Sequence, residues 1–150
     1  MPPAADPPAV AGPSLAMHHV GIDVADLGGA IQFYSAALGV KVAYEFGLPD
    51  MAIKGVFLTH PAGWTIELFH RAGAKPHGRS ADPLEAHDTL GIGHFCLSTS
   101  DIQASFAQML AAGATARIDP VLSPNPAHRV AYVSDSEGNL IELITDEADG

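Results

Sequence analysis

The chain is expected to be an α+β protein built from two tandem βαβββ modules. Three features predict this: a duplication of the sequence at a shift of 75 residues, a β-type run leading into a capped helical pattern in each copy, and three further strand-like runs after each helix. At that shift His19 falls on His94, Asp26 on Asp101, Phe57 on Tyr132, Gly63 on Gly138, and Ile-Glu-Leu 66–68 on Ile-Glu-Leu 141–143, with no gap between anchors. A single matched His or Glu is common by chance; a His, an Asp, a Gly and a tripeptide in one register are not.

In the first copy "HHVGIDV" (18–24) reads as a strand. Asp26 then offers a side-chain acceptor to the free amides of "LGGAIQFYSAAL" (27–38), in which Ile31, Tyr34 and Leu38 recur at helical spacing before Gly39 ends the pattern. "VKVAYEF", "AIKGVFLTH" and "WTIELFH" follow as strands, broken by "LPD" and "PAG". In the second copy "GHFCLST" leads to Asp101 as cap, then to the helix "IQASFAQMLAAG" and strands near "TARI", "HRVAYVS" and "NLIELIT", the last two joined by "DSEGN". The resulting division is a flexible tail over 1–16, a domain over 17–146 (modules 17–70 and 91–146, connector 71–90) and a short tail over 147–150.

Composition narrows the function. The chain has 150 residues, 47% of them apolar, which suits one sizeable core. No apolar run is long enough for a membrane span, and residues 1–17, proline-rich and without a basic start, do not read as a signal peptide. One cysteine, Cys96, excludes an internal disulfide, so a cytoplasmic location is expected. A net charge of −10 argues against nucleic acid and anionic membrane as partners, because binding polyanions requires clustered Lys and Arg. A small-molecule substrate is the expected partner.

Strand alternation selects candidate site residues. Val20, Ile22 and Val24 form the face that packs beneath a helix, leaving His19, Gly21 and Asp23 on the other. Phe95 and Leu97 likewise leave His94, Cys96 and Ser98 opposite, and the Ile and Leu of each Ile-Glu-Leu leave Glu67 and Glu142 facing away from the helices. His and Glu lie 48 residues apart in each copy. Repeat symmetry is expected to gather the four. Two imidazoles and two carboxylates on rigid strands suit one divalent metal ion: Ni, Zn, Co, Mn or Fe. Asp23, Phe69, Cys96 and Arg129 are expected to line the substrate cavity. Arg129 and His128 follow "SPNPA" at the start of a strand, while Trp64 reads as core or interface and His77 and His87 as solvent-exposed.

The segments "HHVGIDVADLGGAIQFYSAALG", "WTIELFH", "GIGHFCLSTSD" and "AYVSDSEGNLIELIT" together resemble the vicinal oxygen chelate superfamily, which includes glyoxalase I, methylmalonyl-CoA epimerase, extradiol dioxygenases and bleomycin-resistance proteins. The resemblance covers residues 17–146. It implies modules curled into a cup of mixed sheet with helices outside, and metal ligands at His19, Glu67, His94 and Glu142, with adjacent His18 excluded. A full His-Glu-His-Glu set resembles the glyoxalase I branch. That branch implies a lyase or isomerase whose metal binds vicinal oxygens of a substrate and whose carboxylate moves a proton. Glu142 is the expected base on this resemblance, with Glu67 the symmetry-related alternative; a homodimer is the expected assembly.

Two departures weigh on substrate. Asp23 and Arg71 stand where glutathione-type enzymes usually carry Arg and Asn, and an Asp there would repel a glutathione carboxylate. Gly93 precedes His94 where the epimerases typically show a second His. An iron-dependent dioxygenase and a non-catalytic drug- or metabolite-binding protein are the alternatives.

Overall fold

In the computed structural model, residues 12–146 are described, so most of the expected N-terminal tail and all of the C-terminal one lie outside the described residues. The elements are β1 (His19–Asp23), α1 (Leu27–Leu38), β2 (Lys41–Leu48), β3 (Ile53–Thr59), β4 (Thr65–Arg71), β5 (His94–Ser98), α2 (Ile102–Ala111), β6 (Thr115–Leu122), β7 (His128–Ser134) and β8 (Leu140–Asp146). They form two four-stranded mixed sheets, ordered β1-β4-β3-β2 and β5-β8-β7-β6. In each, the first and last strands of the module pair in parallel and the other pairs are antiparallel. The fold is α+β with two tandem βαβββ modules.

The helices begin where the sequence supplies an acceptor. The Asp26 carboxylate accepts from the Gly29 N–H and that of Asp101 from the Ala104 N–H, both at 2.9 Å. Gly39, at φ 70°, closes α1 in the left-handed conformation, its N–H donating to the Ser35 carbonyl. α2 stops at Ala111, earlier than its apolar pattern suggests: the Ala112 amide still makes the helical bond to Gln108, but Gly113, at φ 105°, leaves the helix and donates to Leu110 instead. Conversely β6 extends to Leu122, well past "TARI". Pro120 lacks the N–H a central strand needs, but β6 is the outer strand of its sheet, and the register shifts between Ile118 and Val121 absorb it.

A single apolar cluster spans both modules. Leu58, Ile66 and Leu68 of the first sheet and Ala131, Val133 and Ile141 of the second are buried with Tyr34 of α1 and Met109 of α2. Each fully buried large apolar side chain stabilises the fold by ~1.5–3 kcal/mol. The alternation expected for β1, β4, β5 and β8 therefore holds: their helix-facing residues belong to or pack against this core.

Polar contacts fasten the modules together. The Tyr34 hydroxyl donates to Asp135 at 2.8 Å; the same Asp135 accepts from the Glu137 and Asn139 amides and the Asn139 side chain, which organises the β7–β8 turn. Glu137 then reaches the start of α1, accepting from the Ala25 N–H at 2.6 Å and the Asp26 N–H at 3.3 Å. The repeated turn glycines, Gly63 (φ 95°) and Gly138 (φ 85°), occupy backbone conformations that a side chain would strain. In the connector, the Arg79 guanidinium donates to the carbonyls of Ala86, Thr89 and Leu90, giving this aperiodic segment its shape.

Tyr34→Phe removes the donor to buried Asp135 and is predicted to cost about 1–2 kcal/mol in chemical denaturation. Burial foremost, and then the Asp135 charge, hold the Tyr34 phenol well above its ordinary value of 10.0. Above that pH the unfolded chain releases this proton more readily than the native one, so wild-type stability falls through that range and the Tyr34→Phe variant escapes this part of the loss.

Candidate metal and substrate site

β1 and β4 run in parallel with Gly21 opposite Glu67, so His19, two residues earlier on the same face of β1, reaches diagonally to the carboxylate. His19 Nε2 lies 3.0 Å from Glu67 Oε2. The second module repeats the arrangement: Cys96 is opposite Glu142, and His94 Nε2 lies 2.9 Å from Glu142 Oε2. All four side chains are mostly buried, the carboxylates more so than the imidazoles.

Each pair sits against an aromatic ring from the next strand. Phe57 lies opposite Glu67 and packs edge-on against His19, with ring centroids 5.5 Å apart; Tyr132 lies opposite Glu142 and packs edge-on against His94 at 5.3 Å. Phe46 extends the first wall, touching both Phe57 and Phe69. Phe69 shares the face of Glu67 and lies opposite Asp23, as alternation leads one to expect. His18 is not idle: its Nδ1 hydrogen-bonds His19 Nδ1 at 2.8 Å, leaving His19 Nε2 for Glu67.

Within one chain each histidine meets the carboxylate of its own module. His19 and His94 border one groove of about 1010 Å³ between the edge strands β1 and β5, yet among the described residues no three His, Cys, Asp or Glu side chains gather into a group that could hold a metal ion. The donor chemistry suits a first-row dication, and the chain presents it as two half-sets.

A second groove of about 830 Å³ runs from Gly21 and Asp23 to the connector, bringing Asp23 together with Arg71 and Lys75. Arg129 lies elsewhere. It is the second residue of β7, opposite Thr145, and shares the strand face of core residues Ala131 and Val133, the face turned away from Tyr132. Neighbouring His128 pairs instead with Asp146 at 2.9 Å. Trp64 packs against the core and stacks on His60, with centroids 4.6 Å apart. Phe57 and Tyr132 were visible only as repeat anchors; nothing in local sequence marks Phe46 or His18 as neighbours of the site.

A family model of the glyoxalase/bleomycin resistance protein/dioxygenase superfamily matches residues 16–143. The chain belongs to this superfamily. It is 27% identical over 129 residues to a putative lactoylglutathione lyase of Brassica oleracea var. gemmifera, covering 84% of this chain but only 43% of that protein, so it spans less than half its relative's length. It is 35% identical over 98 residues to an ethylmalonyl-CoA/methylmalonyl-CoA epimerase of Cereibacter sphaeroides, covering 65% of this chain and 71% of the other. Among solved structures, a glyoxalase family protein from Bacillus cereus shares the fold, with a TM-score of 0.73 at 22% identity, covering 92% of this chain and 99% of that one.

Cys96 is solvent-exposed on the strand face of His94, but it is no ready nucleophile. Partial burial foremost, and then the Glu142 carboxylate, push its thiol up to about 12 from the usual 9.0. Its thiolate fraction at neutral pH is thus lower by about a thousandfold, partly offset because a more basic thiolate attacks faster. Alkylation by iodoacetamide is predicted to run tens of times slower than for a free cysteine, and Glu142→Gln should speed it.

Proposed function

We propose that this protein is a cytoplasmic, divalent-metal-dependent lyase or isomerase of the glyoxalase type, acting by proton transfer on a small oxygenated substrate. The observation that carries this reading is the repeated pairing of imidazole and carboxylate, at 3.0 and 2.9 Å, on equivalent strands of two modules. His19, Glu67, His94 and Glu142 would hold the metal, one of Ni, Zn, Co, Mn or Fe. When bound, such an ion supplies Lewis acidity that favours negative charge on substrate oxygens.

The chain's own residues supply the remaining work. One of the two carboxylates takes a proton from the substrate carbon; the C–H electron pair moves onto the adjacent oxygen as an enolate, and the proton returns to the neighbouring carbon or to the opposite face of the same carbon. The rings of Phe46, Phe57 and Phe69 give the first module an apolar wall that keeps water from the enolate. His18 fixes the ring of His19.

A homodimer fits this reading. The donors stand in two half-sets, the strands bearing both histidines are sheet edges, and the apolar residues Met17, Leu90 and Ile92 nearby are exposed. A second copy would complete the donor set. A membrane-bound form gains no support, since no helix among the described residues is long and apolar enough to cross a bilayer.

Two classes of substrate are worth separating. The relatives act, by name, on a glutathione adduct and on a coenzyme A thioester. Asp23 at the groove disfavours the first. The test uses protein reconstituted with Ni(II) or Zn(II) in deuterated water, with methylmalonyl-CoA and the methylglyoxal–glutathione adduct as probes. Exchange of the α-hydrogen is expected to be negligible with the glutathione adduct, and exchange with methylmalonyl-CoA would assign the thioester class despite Gly93; His94→Ala should abolish bound metal while His18→Ala keeps it. Full metal content in His94→Ala would overturn the ligand assignment; oxygen uptake by the iron-loaded protein in place of exchange would favour the dioxygenase.

A further inference from the structure

The modules share the His–Glu pairing, but the sheet faces that carry it do not match. Residues directly paired across a sheet share a face, so the strand registers extend the face of Glu67 row by row. Phe57 lies opposite Glu67 and Tyr44 opposite Phe57; one row further along, Phe69 lies opposite Gly55 and Gly55 opposite Phe46. The four rings are continuous: Tyr44 stacks on Phe46 with centroids 6.2 Å apart, and Phe46 meets Phe57 at 5.7 Å and Phe69 at 5.6 Å. Gly55 lets the Phe46 ring lie down on the sheet, since a β-carbon there would collide with that ring. Phe46, Phe57 and Phe69 are half-buried and Tyr44 is 62% exposed, so this wall is open.

At the shift of 75 residues the second module has Asp119 for Tyr44, Val121 for Phe46, Val130 for Gly55 and Ile144 for Phe69; of these places only that of Phe57 keeps a ring, as Tyr132. The next row differs as well. Arg71 follows Phe69 on the same face of β4, opposite the apolar Ile53, and among the described residues no ion pair holds its guanidinium. Its counterpart in the second module is an acid, Asp146, matched by His128 at 2.9 Å. Two residues along a strand advance about 6.6 Å, so β4 presents the Glu67 carboxylate, the Phe69 ring and the Arg71 cation in succession over about 13 Å. Asp23 stands opposite Phe69 on β1, so an anion is admitted to Arg71 from the β3 side, past Phe69 and Ile53.

We propose that the aromatic face of the first module and Arg71 together bind the body of the substrate, and that this body is an aromatic acid: a ring with the reacting vicinal oxygens at one end and an anionic group at the other. The proposal rests on the reading of His19 and Glu67 as the oxygen-binding end. A ring laid on this wall gains the offset and edge-on packing that aromatic pairs prefer, beyond the burial that any apolar group would gain. The chain as a whole carries a net charge of −10 and repels anions, which makes an unpaired Arg71 at the end of an apolar wall a selective contact for one.

The test is a titration of the metal-free full-length chain, with 13C-labelled Phe and Tyr rings, by 4-(hydroxyacetyl)benzoate, whose neutral ketone and hydroxyl oxygens are vicinal and whose carboxylate lies across the ring. Saturable shifts are expected at Phe46, Phe57 and Phe69. Phe46→Leu should weaken binding about tenfold. α-Hydroxyacetophenone, which lacks the carboxylate, should bind about three- to fivefold more weakly than the acid, and Arg71→Gln should bind the two alike. Hydroxyacetone, without the ring, should give no saturable shift. Val121→Ala, at the matching place of the second module, should leave the affinity unchanged, which separates loss of the wall from general loosening. Equal affinity for the analogue with a cyclohexane ring, no preference for the carboxylate, shifts confined to Tyr132, or no saturable shift at all would each overturn the proposal. Because the titration needs neither metal nor turnover, metal content and hydrogen exchange test the proton-transfer reading separately.

Discussion

The site depends on one constraint: the parallel pairing of the first and last strands of each module. That pairing sets Glu67 opposite Gly21 and Glu142 opposite Cys96, and the pleat then carries the preceding histidine onto the same face, within 3.0 and 2.9 Å of the carboxylate. A slip of one residue would turn each Glu toward the helices, into the volume now filled by Ile66 and Leu68 or by Ile141 and Leu143. Burying an unpaired carboxylate there would cost several kcal/mol, so the core that stabilises the fold also enforces the geometry of the site.

The modules differ in how they are tied to each other. The turn after β7 engages α1 through Asp135 with Tyr34 and Glu137 with the Ala25 and Asp26 amides. The matching turn after β3 carries His60 stacked on Trp64, and on α2 the place of Tyr34 is taken by Met109, which has no hydroxyl to offer. From α2, the Gln108 side chain donates to the Ala37 carbonyl of the first module at 2.8 Å. The two modules share one duplicated plan and differ at their turns and in the residues opposite their carboxylates.

Much of this was legible in the sequence because it is local. Asp26 and Asp101 mark helix starts by their acceptors, Gly39 marks an end by its left-handed backbone, and alternation in β1, β4, β5 and β8 separates core residues from His19, Glu67, His94 and Glu142. The rest is not local. The run "TARI" does not show that β6 continues through Pro120, which its place at the sheet edge permits, and the position of Arg129 on the core face depends on where β7 begins. Nor does local sequence show what flanks each carboxylate: Gly21 and Phe57 lie opposite Glu67, and Cys96 and Tyr132 opposite Glu142, and they meet only through their strand ladders. Whether half-sets converge depends on how modules meet, for which no periodicity of the chain carries a signal.

The central claim is that two His–Glu pairs from different modules make one metal centre, and the most direct measurement is metal stoichiometry combined with X-ray absorption on protein loaded with Zn(II) or Ni(II). A joint centre requires one ion per chain, with two imidazole nitrogens and carboxylate oxygen in its inner sphere. Two ions per chain, or a single imidazole on each ion, would mean that each pair binds alone and would contradict it.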